Sequence, residues 1–229
     1  MKYLLIPSRH ILYSKDQYDA ILDHLKQYSY DKVIFAITSY NLNNCKYSPI
    51  DIYYRISIVD SLIFSLLQEI DFRYSIVRVP HFNQRADYAQ TIVKYINYNS
   101  HYHLLPENTE VFLLGQYIAK EFENAGFTIF LAEHVGHTQL FKKLFIEKDS
   151  KFFQANISDA SHRIFQNQTE ILEIAEKIWL DTVLQEKGSL TENRNYHTYT
   201  YAMSNNEIIE FKYNDIKDFI KEGKIIDEG

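Results

Sequence analysis

The chain has 229 residues, of which 46% are hydrophobic, and its 24 Lys and Arg against 30 Asp and Glu leave a formal net charge of −6 at pH 7. This length and hydrophobic content predict one globular domain with a small appendage, and the negative charge excludes the basic surface that duplex nucleic acid requires. The single cysteine, Cys45, excludes an internal disulfide and any cysteine-based zinc site.

The apolar runs of the sequence all fall short of the length of about 20 residues that a membrane-spanning helix needs. The apolar stretch at the N-terminus is also too short for a secretory signal peptide. We therefore expect a soluble, cytoplasmic protein with no membrane partner.

Five short apolar runs are typical of strands that are buried on both faces of a parallel sheet. They lie at Lys2–Ile6, Lys32–Thr38, Tyr74–Val79, Val111–Leu114 and Phe127–Leu131. Helical patterns lie between them, at Lys15–Tyr28, Ile52–Ile70, Arg85–Tyr98 and Gln116–Asn124. Because strands and helices alternate, the sequence predicts an α/β fold with a doubly wound, Rossmann-like, five-stranded parallel sheet.

After the fifth strand the pattern changes, and helices follow one another directly. They are predicted over Thr138–Phe145, Ser158–Phe165 and Thr169–Gln185. A polar linker over 186–194 then leads to a β-hairpin with strands at Tyr196–Met203 and Glu207–Tyr213.

These elements divide the chain into two parts. Residues 1–166 form the predicted Rossmann-type domain, and residues 167–229 form an extension of one helix and the hairpin. An exposed edge strand favours pairing with a second copy, so we expect a homo-oligomer.

The first nineteen residues, MKYLLIPSRHILYSKDQYD, combine a short apolar strand, a turn through Pro7 and a helix that begins near Ser14. Parallel-sheet folds place a phosphate at such a junction, because free N–H groups at the helix N-terminus point at the anion. The stretch resembles the ATP-binding turn of the nicotinamide-nucleotide adenylyltransferase family, whose pattern is a strand, G-R-F-x-P-x-H-x-G-H and a helix. In this alignment Ser14 and Gln17 stand at the positions of the two histidines, and Asp16 replaces the glycine.

The two histidines of the family contact the nucleotide phosphates and stabilise the charge that develops when the α-phosphate is attacked. Catalysis of this kind rests on positioning and electrostatics, so no covalent nucleophile is expected. By resemblance, Lys15 and Gln17 are the candidate catalytic residues of the turn. Ser8, Arg9 and Ser14 are its candidate nucleotide contacts. Ser14 is also a good N-cap, so an ordinary helix start is the alternative.

Two further stretches resemble motifs of the same family. S-P-I-D-I-Y-Y-R-I over Ser48–Ile56 resembles N-P-F-T-x-x-E-R-x and makes Arg55 a candidate nucleotide contact. I-S-D-A-S-H-R over Ile157–Arg163 resembles I-S-x-T-x-x-R, whose helix N-terminus and arginine grip the β- and γ-phosphates in the family. The resemblance therefore implies a nucleotide contact at Ser158 and a catalytic role for Arg163. The alternatives are a surface arginine in the first stretch and a capped surface helix in the second.

Loops after two later strands carry further candidates. Gly115, in a stretch that resembles the family's S-G-N, would permit close approach of the backbone to a nucleotide. His134 and His137, in H-V-G-H after the fifth strand, repeat the family's H-x-G-H at a different place and are candidate phosphate contacts. Two alternatives stay open for this pair: ordinary loop residues, or a metal site with Glu133 as third ligand, although we expect no metal site here.

The matching motifs occur in the family's order over residues 1–165. The resemblance implies a nucleotidyltransferase that binds ATP and transfers an adenylyl group to nicotinamide mononucleotide or a related phosphate acceptor, with NAD as product and Mg²⁺ assisting. The alternative is a catalytically inactive relative that binds a nucleotide as a sensor or scaffold. Loss of one transition-state contact lowers a rate by about 10²–10³, and both turn histidines are replaced here. Lys15, His10 and Arg9 are the nearby cations that would compensate.

Overall fold

The computed structural model describes residues 1–42, 48–82, 87–132 and 135–187 and the strand residues 198–202 and 208–212, from residue 179 onward for the backbone alone. Its strands are β1 (Tyr3–Ser8), β2 (Lys32–Ile37), β3 (Tyr74–Arg78), β4 (Thr109–Leu113), β5 (Thr128–Leu131), β6 (Thr198–Ala202) and β7 (Ile208–Lys212). Its α-helices are α1 (Lys15–Gln27), α2 (Ile52–Leu67), α3 (Tyr88–Ser100), α4 (Ala119–Asn124), α5 (His137–Phe141), α6 (Ser150–Asn156), α7 (Asp159–Asn167) and α8 (Thr169–Lys187).

The first five strands form one sheet in the order β3-β2-β1-β4-β5, and every neighbouring pair is parallel. This confirms the predicted five-stranded parallel sheet. The chain moves outward from β1 through β2 to β3, and then crosses to β4 and β5 on the other side of β1. Open α/β sheets bind their ligands outside the carboxyl ends of the strands, at the point where the winding reverses. In this chain that point lies between β1 and β4.

Alternate residues of the central strand pack on opposite faces of the sheet, as a period of two residues requires. Leu4 and Ile6 belong to the apolar core that α1, α2 and α5 to α8 cover, whereas Tyr3 and Leu5 belong to the core under α3 and α4. Leu4, Leu5 and Ile6 are fully buried, and burial of one such side chain contributes about 1.5–3 kcal/mol. Helices therefore cover both faces of the sheet, as the continuous apolar runs predict.

The predicted turn at Pro7 is wrong, because β1 continues through this residue to Ser8. The N–H of Tyr3 donates to the residue before β4 at 2.8 Å, and the backbone groups of alternate residues face the same neighbouring strand. Pro7 therefore faces β4, to which it has no N–H to donate. The β1–β4 pairs end at Leu5 opposite Val111, whereas the pairing with β2 extends to Ser8.

Helix α6 is not predicted by the sequence pattern. The side chain of Asp149 caps this helix by accepting a hydrogen bond from the Phe152 N–H at 2.9 Å. Phe153 is buried against the C-terminal core. A helix of 7 residues is too short for apolar spacing to distinguish it from a loop.

Strands β6 and β7 pair antiparallel, which confirms the predicted hairpin; its turn and the linker beyond Lys187 lie outside the described residues. Helix α8 begins at Thr169, as predicted, and continues past Gln185. The expected division at residue 166 falls in the last turn of α7. In the part of the chain that the structure describes, no helix is both long and apolar enough to cross a membrane.

Candidate functional site

A guanidinium and an imidazole interact electrostatically near the carboxyl edge of the sheet. Ser8 ends β1, Arg9 follows it, and His137 begins α5. Burial, followed by the positive charges of Arg9 and Arg55, lowers the pKa of His137 to about 4. At neutral pH the carboxyl edge of the sheet therefore has a charged Arg9 close to a neutral His137.

Gly115 follows β4 on the other side of the switch point. Its φ of 170° is extended backbone that any residue adopts. A Cβ atom added at Gly115 would meet nothing within 4 Å. Neither the backbone conformation nor the surrounding described residues require glycine at this position, and the space beside the backbone is open. Close approach of a nucleotide to Gly115 stays a prediction.

Ser14 and Gln17, which the predicted alignment places at the family's histidine positions, bind each other. The hydroxyl of Ser14 accepts from the Gln17 N–H at 3.2 Å, and the Gln17 side-chain oxygen accepts from the Ser14 N–H at 3.1 Å. This reciprocal pair is a capping box at the start of α1. The Gln17 amide also donates to the carbonyl of Leu114 at 3.3 Å, so it connects α1 to the end of β4. Both side chains are buried.

His10 is buried next to this turn and has a left-handed backbone conformation, with φ of 51°. Its Nε2 lies 3.2 Å from the Ile6 carbonyl, which can only accept, so Nε2 carries the proton and Nδ1 accepts from the Tyr13 hydroxyl. Burial, followed by the charge of Arg55, lowers the pKa of His10 to about 3. The expectation that His10 supplies a compensating positive charge is wrong, because the ring is neutral at physiological pH.

Arg55 is fully buried, at 0% exposure. Its Nε donates to the carbonyl of Arg9 at 2.7 Å. Its Nη1 donates to the Ser39 carbonyl at 3.1 Å and to the Ser48 hydroxyl at 3.0 Å. Its Nη2 donates to the carbonyl of Thr38. These partners lie in the loops after β1 and β2 and before α2, so the guanidinium faces protein backbone. Phosphate contact by Arg55 stays a prediction.

The start of α7 docks on the same turn. The Ser158 N–H donates to the Tyr13 carbonyl at 2.9 Å, and the Tyr13 N–H donates to the Ser161 hydroxyl at 2.8 Å. Ser14 and Ile157 form an isolated antiparallel bridge beside these contacts. The N-termini of α1 and α7 are therefore adjacent. Sequence reasoning did not identify Ser161 as a site residue; the available signal was its place one position after the family threonine.

A groove of about 630 Å³ lies between α1, α2 and α7. Eleven residues line it: Lys15, Tyr18, Asp19, Phe64, Ser65, Gln68, Ser158, Asp159, Ala160, His162 and Arg163. The guanidinium of Arg163 donates to the Ser65 hydroxyl and lies 5.9 Å from the centre of the Phe64 ring. The size is within the range of about 300–1,000 Å³ that small-molecule sites occupy.

The structure thus divides the predicted site residues into two groups. Lys15, Ser158 and Arg163 line the groove. The carboxyl edge of the sheet and the first turn hold Ser8, Arg9, Ser14, Gln17, Arg55, Gly115 and His137. His134 and Glu133 lie outside the described residues, so His137 is the described member of the histidine pair.

The described residues do not fit an all-protein metal site. Among them, no three His, Cys, Asp or Glu side chains are grouped so that they could hold a metal ion. Mg²⁺ is commonly held by one or two carboxylates together with substrate phosphates and water.

The sequence matches no protein-family model and no curated protein. Two similar solved structures are both of a bifunctional NMN adenylyltransferase/ADP ribose pyrophosphatase from Francisella tularensis. One has a TM-score of 0.50 and 13% identity, with 81% of this chain and 54% of that chain covered. The other, complexed with AMP and a Mn ion, has a TM-score of 0.48 and 12% identity, with 81% and 52% covered.

The chain spans about half the length of the protein chains in these two structures. At such low identity the likeness concerns the fold. The chain shares an α/β fold with the structure of TM-score 0.50.

Proposed function

We propose that this chain binds a nucleotide, ATP by resemblance, at the carboxyl edge of its sheet between β1 and β4. The observation that carries the proposal is that the pairing of β1 with β4 ends at Leu5 opposite Val111, although β1 continues to Ser8. Arg9 follows directly after β1, and its charge acts on His137. Strands that part at a switch point leave room for a ligand outside their carboxyl ends.

Each edge residue has a role that suits its chemistry. The guanidinium of Arg9 provides the positive charge that phosphate oxygens require. The neutral ring of His137 can donate one hydrogen bond without adding a second charge. The open space beside Gly115 allows a ligand to lie against the backbone.

The groove supplies a second set of contacts, for the β- and γ-phosphates. Lys15 begins α1, Ser158 caps α7, and Arg163 lies one turn into α7. The two helix N-termini are adjacent, so their dipoles favour an anion at the same place. Asp19 and Asp159 also line the groove and limit how much negative charge it accepts.

The proposed activity is adenylyl transfer to nicotinamide mononucleotide or a related phosphate acceptor. An acceptor phosphate oxygen attacks the α-phosphorus of ATP, a new P–O bond forms, and the bond to pyrophosphate breaks. Lys15 and Arg163 would stabilise the charge that moves onto the pyrophosphate, and Gln17 would hold the turn. Any Mg²⁺ would be bound through the nucleotide phosphates.

One observation favours a second candidate, a nucleotide-binding relative that lacks transfer activity. Ser14 and Gln17 bind each other and Leu114 instead of pointing donors at a phosphate. Two missing transition-state contacts, each worth about 10²–10³ in rate, are enough to abolish measurable turnover.

Calorimetric titration with ATP tests the binding site. We expect Arg9→Ala to weaken ATP binding about tenfold or more, because a charge-assisted hydrogen bond contributes about 1.5–3 kcal/mol. Arg73→Ala is the matched control, since Arg73 is exposed and precedes β3 at the opposite edge of the sheet. Absence of ATP binding by the unaltered protein, or equal effects of the two variants, contradicts the proposed site.

An assay with ATP, Mg²⁺ and nicotinamide mononucleotide separates the two candidates. Formation of NAD and pyrophosphate, reduced about 10²-fold or more by Arg163→Ala, supports the transferase. ATP binding without NAD formation supports the inactive relative for this acceptor. Lys94→Ala, an exposed change in the middle of α3, should leave either result unchanged.

The assembly state is part of the proposal. We propose a homo-oligomer built through the β6–β7 hairpin, because an exposed edge strand pairs readily with another chain. Light scattering at micromolar concentration should give at least the mass of a dimer, and a monomer contradicts this.

A further inference from the structure

We infer that Arg55 is a positioning residue for the proposed site: it fixes the loops after β1 and β2 and thereby directs Arg9 and Ser39 to the carboxyl edge of the sheet. The inference rests on the proposed function only for the ligand that Arg9 meets. It assigns Arg55 a role other than direct contact with a phosphate.

The first argument is the geometry of the Arg55 contacts. One planar group donates to the carbonyl of Arg9 at 2.7 Å, to that of Ser39 at 3.1 Å and to that of Thr38. A guanidinium holds its donors in a rigid fork. The two loops are therefore fixed relative to each other by a single side chain from α2.

The second argument is the backbone conformation beside those carbonyls. His10, directly after Arg9, has φ of 51°, and Ser39 has φ of 53°. Left-handed conformations of residues other than glycine typically cost about 1–3 kcal/mol and persist only where surrounding contacts hold them. Arg55 supplies such contacts at both loops, because it binds the carbonyl before His10 and the carbonyl of Ser39 itself.

The third argument is what the two loops present at the edge. The charge of Arg9 acts on both Tyr88, at the start of α3, and His137, at the start of α5. The Ser39 hydroxyl lies 3.0 Å from Nδ1 of His81, in the loop after β3. Arg9 after β1, Ser39 after β2 and His81 after β3 thus lie in the same region as the starts of α3 and α5, and Arg55 holds the first two of these loops.

Direct contact between Arg55 and a ligand is the competing explanation. Arg55 is 0% exposed, so contact would require it to leave carbonyls that would then be buried without a donor. An unsatisfied buried polar group costs about 1–3 kcal/mol. The positioning role needs no such movement.

A double-mutant cycle on the full chain separates the two explanations. Arg55→Lys keeps the positive charge and loses the forked donors of the guanidinium. We expect it to weaken ATP binding about tenfold in the unaltered protein, and less than about twofold in a protein that already carries Arg9→Ala. The two effects are then non-additive, as expected when one residue acts through the other. If the effects of Arg55→Lys and Arg9→Ala multiply, Arg55 contacts the ligand itself and the inference is wrong. Arg73→Lys is the control and should change nothing.

Ser48→Ala provides a milder change if Arg55→Lys does not fold. It removes one acceptor of the guanidinium and should show the same non-additivity with Arg9→Ala. Multiplicative effects of these two changes overturn the inference in the same way.

Crystal structures of the variants decide the inference without any nucleotide. We expect His10 or Ser39 to move to negative φ in Arg55→Lys, or in Ser48→Ala where the lysine variant fails to fold, and Arg9 to shift. Unchanged loops overturn the inference whether or not ATP binds. Absent ATP binding with displaced loops contradicts the proposed function and leaves the positioning role supported.

Discussion

Ser14 and Gln17 are joined by two reciprocal hydrogen bonds, 3.2 Å and 3.1 Å long, at the start of α1. By the resemblance of the first turn, which stays a prediction, they stand at the positions of two phosphate-binding histidines in the adenylyltransferase family. In this chain the pair completes the helix N-terminus. A capping box satisfies two backbone donors that otherwise have no partner in the helix. The helix start is thereby stabilised by the protein itself, independently of a ligand.

The capping box predicts coupled effects on stability. Ser14→Ala and Gln17→Ala should each lower the free energy of unfolding by about 1 kcal/mol. The double variant should lose less than the sum by about 0.5 kcal/mol or more, because each change removes the other's partner. Urea denaturation measures this. Asp51→Ala, which removes a cap from α2, should add fully to Ser14→Ala, and additivity of the Ser14 and Gln17 changes would contradict the coupling.

The neutral buried ring of His10 predicts a loss of stability in mild acid. Its pKa is lowered from 6.5 to about 3, so the unfolded chain binds the proton more tightly. The resulting stability is complete above pH 6.5 and is lost as the pH falls, by up to about 1.4 kcal/mol for each pH unit. The urea midpoint of His10→Asn should fall less steeply between pH 7 and pH 5, because the titrating imidazole is gone. Asparagine is the replacement because it tolerates positive φ.

His101→Asn is the control for this measurement. His101 also has positive φ, 55°, but is exposed at the end of α3. Its substitution should leave the pH slope as it is. A residual slope is expected in His10→Asn, because burial also lowers the pKa values of His24 and His137 to about 4. Equal slopes for His10→Asn and the unaltered protein would show that folding does not lower the pKa of His10, which contradicts the prediction.

Substitution of two glycines by alanine should affect stability to different extents. Gly115→Ala should change the free energy of unfolding by less than about 0.5 kcal/mol, since its φ is extended and a Cβ there meets nothing within 4 Å. Gly126→Ala should lower it by about 1 kcal/mol, because Gly126 has φ of 86°. Thermal unfolding measures both. If a nucleotide lies against Gly115, calorimetry should show that Gly115→Ala alone weakens ATP binding; a stability loss there would point to packing instead.

Substitutions in a polar cluster at the amino edge of the sheet should lower the free energy of unfolding and leave the affinity for ATP unchanged. The Tyr30 hydroxyl donates to the Glu110 carboxylate and lies 2.7 Å from Nε2 of His24. Tyr30→Phe should lower the free energy of unfolding by about 1–3 kcal/mol, because a hydrogen bond to a charged group is lost. ATP affinity should not change. Tyr53→Phe, 76% exposed, is the control, and equal stability of the two variants would contradict the prediction.

Much of the fold was predictable because its signals are local. The five apolar runs, the helical patterns between them and the two hairpin strands each lie within a few consecutive residues. The structure confirms the five strands and the pairing of the hairpin. Helix α6 escaped prediction because its cap, Asp149, and its buried Phe153 are too few to form a pattern. The turn expected at Pro7 failed because a proline is acceptable in a strand whose N–H side is no longer paired.

The sequence by itself determined the parallel α/β sheet and the helix that Ser14 caps, because periodicity and capping act over one or two turns of chain. Only the tertiary structure decided that Arg55 faces the carbonyls of Arg9 and Ser39, that His10 is buried and neutral, and that α7 docks on Tyr13. These contacts join residues far apart in the chain. Whether a polar side chain meets a ligand or a carbonyl depends on the partners that folding brings to it.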